Sequence, residues 1–254
     1  MIPEQRIELD VVPGVHLIEH GHTNCYVVQD DTGVTLVDAG YTSTRRLVEE
    51  CLTTIGASPQ DVRALLITHG HFDHLGFASS VQRDWGVEVW AHDADSPICR
   101  HPYSYRPERP RLLYPLSHPR ALPVLTSMVA AGALKVQGLV PDKVLVPDTV
   151  LDVPGAPLVI HTPGHTDGAC VFFLADRRVL LTGDTLVTLD PYTGRRGPRI
   201  VARAATHDGA QAFRSVDSLR ALEVDTVLPG HGEIWTQGID AAVEEARVAF
   251  LLGS

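Results

Sequence analysis

The chain has 254 residues, 44% of them hydrophobic and 20% charged, enough for one large α/β domain with a sizeable core. Its formal net charge of −10 argues against a general affinity for nucleic acid or anionic membrane. No apolar run approaches the ~20 residues of a membrane span, and Met1-Ile2-Pro3-Glu4-Gln5-Arg6 carries no apolar signal core. Cys25, Cys51, Cys99 and Cys170 include no Cys-x-x-Cys pair; they read as reduced and mostly buried, in a cytoplasmic protein.

Residues 7–40 read as strands over 7–17, 24–28 and 34–38, with Pro13-Gly14 breaking the first and Asp30-Asp31-Thr32-Gly33 turning the second into the third. Residues 42–56 predict a helix, with Leu47, Val48, Cys51, Leu52 and Ile55 as its apolar stripe and Gly56 as its stop. Ala64-Leu65-Leu66-Ile67 reads as a buried strand, 73–85 as a helix and 87–91 as a strand, a βαβ-like succession. Residues 93–141 interrupt the pattern. Seven prolines between 97 and 123 disfavour regular structure, and Arg100, Arg106, Arg109, Arg111 and Arg120 face only Glu108 there. The stretch 125–140 is apolar and helix-compatible. The whole reads as an insertion forming a lid or wall near the active site, its apolar part also suiting a homodimer contact.

Strands are expected again over 143–146, 149–153, 158–161, 169–174, 178–182 and 225–228. Helices are expected over 206–222 and 238–252, the last with a stripe of Ile239, Ala242, Val243, Ala246, Ala249 and Phe250. The chain reads as one domain over 1–254, without linker or repeat.

The chemistry concentrates where apolar strands run into glycine-bearing turns. Thr68-His69-Gly70-His71-Phe72-Asp73-His74 follows the 64–67 strand, and His69 and His71, two apart, can face one point. His165 follows Thr162-Pro163-Gly164, Asp184 follows Thr182-Gly183, and His231 follows Pro229-Gly230. Imidazole nitrogen and carboxylate oxygen form the ligand set of zinc and similar metals. Asp38, ending the 34–38 strand, can hydrogen-bond a ligating histidine from behind or simply cap the turn.

With His-x-His-x-Asp-His followed in order by His165, Asp184 and His231, the chain resembles the metallo-β-lactamase superfamily over nearly its whole length. The resemblance implies an αββα sandwich of two mixed sheets flanked by helices. It implies two divalent metal ions, zinc first, with iron or manganese as alternatives. His69, His71 and His165 would hold one ion, Asp73, His74 and His231 the other, and Asp184 would bridge them beside a bridging hydroxide. Asp73 or Asp184 would orient the nucleophile or pass a proton. His74 stands where one β-lactamase class has Arg, Asp184 where β-lactamases have Cys or Ser, and His71 where flavo-diiron proteins have Glu. The set matches the glyoxalase II-like branch, although only one helix follows His231, where true glyoxalase II has a helical glutathione-binding domain.

The implied activity is hydrolysis of a small-molecule ester, thioester or lactone, with neither nucleic acid nor membrane as partner. Two alternatives use the same residues: a mononuclear iron persulfide dioxygenase-like enzyme, with iron on His69, His165 and Asp184, and a non-catalytic metal-binding protein. On the 186–198 loop, Tyr192 is a candidate donor to a carbonyl or leaving group, and Arg195 or Arg196 a candidate partner for a substrate carboxylate. His22, His92, His161 and His207 are read as supporting or surface histidines.

Overall fold

The computed structural model describes residues 5–110 and 114–252, so Arg111 lies outside the described residues. The first half runs β1 (Gln5–Val12), β2 (Val15–His20), β3 (Thr23–Asp30), β4 (Gly33–Val37), α1 (Arg45–Thr54), β5 (Val62–Leu66), α2 (Phe72–Leu75), α3 (Ala78–Trp85) and β6 (Glu88–Ala91). Three helices follow, α4 (Ser96–Arg100), α5 (Tyr114–Ser117) and α6 (Leu122–Ala131), and then β7 (Lys143–Val144). The second half runs β8 (Leu158–His161), β9 (Cys170–Leu174), β10 (Val179–Gly183), β11 (Val187–Leu189), β12 (Arg196–Arg199), α7 (Gly209–Ser218), β13 (Thr226–Pro229) and α8 (Gly238–Leu251).

Seven strands form one sheet in the order β1-β2-β3-β4-β5-β6-β7, antiparallel as far as β4 and parallel beyond it. A second sheet runs β13-β10-β9-β8, with β10 and β13 parallel. Alternation along each strand divides the core. Tyr26, Val28, Ala64 and Leu66 face Cys170, Phe172, Leu181 and Leu228 between the sheets. Their neighbours Cys25, Val27, Leu65 and Ile67 face the other way, onto Leu47, Cys51 and Val81 of α1 and α3. Val171, Leu180 and Val227 turn outward onto Val216 of α7 and Ala242 and Ala246 of α8. The result is helix, sheet, sheet, helix, the αββα sandwich.

Several elements differ from the sequence reading, each for a local reason. The helix expected over 73–85 is two helices, because Gly76 turns back to donate its N–H to the Gly40 carbonyl at 2.9 Å. The helix expected over 125–140 starts at Leu122 and stops before Gly132, whose φ of +107° ends it. Residues 149–153 form no strand; only Val150 bridges to Leu158. The loop after Asp184 is instead a hairpin of β11 and β12.

β4, β5, β10 and β13 all end at the same edge of the sandwich. There the sheets are stitched together: Cys170 N–H donates to the Thr68 carbonyl and Asn24 N–H to the Gly230 carbonyl, both at 2.8 Å. At the same edge Gly76 packs against the turn after β4, since a Cβ there would lie 2.2 Å from the Gly40 oxygen and the Tyr41 Cα. Gly76→Ala is therefore expected to lose about 2–4 kcal/mol of stability in urea denaturation. A change within about 0.5 kcal/mol would show that this contact yields freely.

Candidate metal centre

Each strand end delivers polar side chains into one buried cluster. After β5 come His69 and His71; α2 then carries Asp73 and His74. His165 follows β8, Asp184 follows β10 and His231 follows β13. All seven are buried. Their ligand atoms fall into three groups that could each hold a metal ion: His69, His71 and His165; His69, His74 and Asp184; Asp73, His74 and His231.

Asp184 is central. Its Oδ1 lies 3.4 Å from His74 Nε2, and its Oδ2 lies 3.3 Å from His231 Nε2, 3.5 Å from His165 Nε2 and 4.0 Å from His69 Nε2. Asp73 Oδ2 lies 3.4 Å from His231 Nε2. These are long for hydrogen bonds. Those of 3.3–3.5 Å match the edge, roughly 3.3 Å, of a tetrahedron whose corners sit about 2.0–2.1 Å from a central cation. Consistent with that, the Nε2 atoms of His69, His74 and His231 and Oδ1 of Asp184 are buried without a hydrogen-bond partner. The donor set fits divalent cations.

The far side of each ring fixes its tautomer. Asp38 Oδ2 accepts from His74 Nδ1 at 2.8 Å and from the Thr68 hydroxyl at 2.8 Å, while its Oδ1 accepts from Thr68 N–H. Having donated to Asp38, the Thr68 oxygen is left to accept from His69 Nδ1 at 3.1 Å. The His22 carbonyl accepts from His231 Nδ1 at 2.7 Å. Thr206, donating to the Val201 carbonyl, faces His165 Nδ1 at 3.4 Å. In each case a proton is held on Nδ1, so that Nε2 is the atom the ring offers to a cation. His71 differs, meeting His165 Nε2 through its Nδ1 at 3.0 Å.

Burial holds His69 and His71 well below the ordinary histidine value and pushes His165 down to about 4, so these rings are neutral. Burial also opposes charge on His74 and His231, but the carboxylates outweigh it. Asp38 and Asp184 raise His74 well above its ordinary value; Asp184 and Asp73 carry His231 up to about 10. Burial likewise opposes the Asp184 anion, yet His231 and His74 hold it well below the carboxylate range. The pocket attracts positive charge.

A cleft of about 470 Å³ opens beside the cluster, with His71 and His165 in its wall. Tyr105 lies over His71, their ring centroids 4.0 Å apart, and its hydroxyl meets that of Tyr192 at 3.1 Å. Tyr192 thus reaches the site through Tyr105. Arg195 does not; it borders a separate cavity against α8. Of the supporting histidines, His22 reaches the cluster through its carbonyl, His92 and His161 stack on each other at 4.3 Å, and His207 sits at the cleft.

Two residues were not singled out by sequence. Tyr105 lay in a segment whose path proline content leaves open. Asp95 is buried and accepts from Gly70 N–H, Gly168 N–H and the Thr166 hydroxyl at 2.7–2.8 Å, tying the His69–His71 turn to the His165 turn. A lone aspartate after a strand gives no sequence signal for that.

The family model for the metallo-beta-lactamase superfamily matches residues 18–231. The chain is 30% identical over 242 residues to a probable metallo-hydrolase, YflN, of Bacillus subtilis (strain 168), with 88% of this chain and 85% of that protein covered. It is 26% identical over 166 residues to hydroxyacylglutathione hydrolase GloC of Haemophilus influenzae, with 64% of this chain and 66% of that protein covered. A solved metallo-beta-lactamase family protein from Thermus thermophilus matches with a TM-score of 0.68 at 25% identity, over 95% of this chain and 81% of that one.

Asp38→Asn would turn an acceptor into an N–H donor facing His74 Nδ1. The His74 proton then moves to Nε2, which stops being a ligand atom. Zinc affinity, read by competition with a chromophoric chelator, is expected to fall about 10–100-fold. Unchanged affinity would mean that Asp38 does not set the tautomer.

Proposed function

The chain belongs to the metallo-beta-lactamase superfamily and is a metal-dependent hydrolase, and we propose that it uses two divalent cations, zinc first, to cleave a small ester, thioester or lactone. The observation that carries the two-ion reading is Asp184, whose two oxygens face histidines of both halves of the cluster at 3.3–3.5 Å. His69, His71 and His165 would hold one ion and Asp73, His74 and His231 the other, with Asp184 between them.

Divalent cations held there supply Lewis acidity, lowering the pKa of a water toward ~7 and polarising a carbonyl. The remaining work falls to the chain. Asp73 or Asp184 would orient the attacking water or take a proton from it at a carboxylate oxygen. The paired hydroxyls of Tyr105 and Tyr192 offer a donor to the carbonyl or the leaving group. Ala94, Pro97, Ile98 and Ala205 give the cleft an apolar wall. The segment 93–141 thus forms part of the wall of the site. The hydroxyacylglutathione hydrolase among the relatives supports including acyl–sulfur bonds among the substrates.

The four cysteines are free and buried, which supports a reducing compartment such as the cytoplasm. No described helix is long and apolar enough to cross a membrane.

Protein purified without added metal or chelator is expected to carry two zinc ions per chain and to turn over members of an ester, thioester and lactone panel. Asp184→Asn should hold fewer ions and lose at least about 100-fold in kcat/KM. Full activity in that variant would remove the bridging role. One iron per chain, with oxygen uptake on a glutathione persulfide, would replace the hydrolase with an oxygenase.

A further inference from the structure

Arg195 lies outside the cleft beside the metal cluster, but another cation lines it. Arg106 shares that wall with Tyr105, His71 and His165. Its position is fixed by the backbone: its carbonyl accepts from His207 Nδ1 at 2.9 Å. Two residues on, Glu108 N–H donates to the Thr206 carbonyl, and the Glu108 carboxylate accepts from Gly209 N–H.

Two of the three acidic groups nearby are committed elsewhere. Glu108 pairs with Arg203 at 3.2 Å. Asp167 also lines the cleft, exposed and 3.8 Å from His207, and makes no ion pair with Arg106. Asp95 is buried, with both oxygens taken by Gly70, Thr166 and Gly168. Among the described residues the Arg106 guanidinium has no ion pair. An acidic protein thus has, on a residue that lines the cleft beside its metal cluster, a planar fork of N–H donors without an ion pair, next to an apolar wall of Ala94, Pro97, Ile98 and Ala205. That fork matches a carboxylate.

We infer that the cleft selects acyl substrates bearing a carboxylate remote from the scissile bond, held by Arg106 while the scissile carbonyl lies against the cluster. The inference rests on the hydrolase reading. A cavity of about 470 Å³ accommodates a short acyl chain, and the apolar wall suits its methylenes.

Zinc-loaded protein is assayed with two N-acetylcysteamine thioesters of equal acyl length, succinyl and butyryl. The wild type should prefer the succinyl thioester by roughly ten-fold or more in kcat/KM, chiefly through KM. In Arg106→Ala the ratio should collapse toward one, and Arg106→Lys should restore part of it. Binding of succinate against butyrate is measured on the same proteins by calorimetry. Turnover of both thioesters without preference, or a preference kept in Arg106→Ala, overturns the inference and leaves the hydrolase standing. No turnover, but a succinate preference that Arg106→Ala abolishes, supports the anion site and removes thioesters from the proposed substrates. Neither turnover nor a binding preference overturns the inference and removes thioesters as well.

Discussion

Three carboxylates, Asp38, Asp73 and Asp184, are buried at one edge of the sandwich, and their described ion-pair partners are histidines, with no lysine or arginine. Buried negative charge is costly unless it is matched. The surrounding imidazoles match it only by taking protons, which is why His74 and His231 are raised against their burial. Divalent cations meet the same need with ligand geometry as well as charge. The arrangement of strand ends, tight turns and supporting hydroxyls follows from holding those groups close together without protonating them.

Holding them requires both sheets. The first sheet supplies the His69–His74 turn and Asp38; the second supplies His165, Asp184 and His231. Neutral groups do the aligning. Thr68 passes the influence of Asp38 to His69, and Asn24 grips the His231 turn through the Pro229 and Gly232 carbonyls at 2.8–2.9 Å. Asp95 joins two turns that come from different sheets. The centre is thus set by backbone hydrogen bonds that a side-chain inventory does not reveal.

That difference explains what was legible in the sequence. The layered fold was legible, because strand alternation and helical stripes state which face is buried. The seven polar side chains were legible as a group because four fill one short run after an apolar strand, the other three each follow an apolar strand and a glycine turn, and strands of one sandwich edge end together. The surroundings were not. Gly76 and Gly132 end helices whose apolar periodicity runs on past them, so periodicity overstated their length. The β11–β12 hairpin hid behind Pro191, Gly194 and Gly197, which read as loop. Arg195 lay close to Asp184 in sequence, yet the hairpin carries it to the α8 side. Arg106 and Tyr105 reach the cleft from a proline-rich stretch whose course no local pattern dictates.

His71 and His165 meet at 3.0 Å although 94 residues separate them. A cation shared across that gap would close a long chain loop, the service a disulfide performs in other proteins, while all four cysteines here remain unpaired. Metal affinity and resistance to unfolding then become two readings of one equilibrium. A substitution deep between the sheets, far from any ligand, would surface first as leaking metal. In such a protein, metal loss diagnoses the fold as readily as it diagnoses the active site.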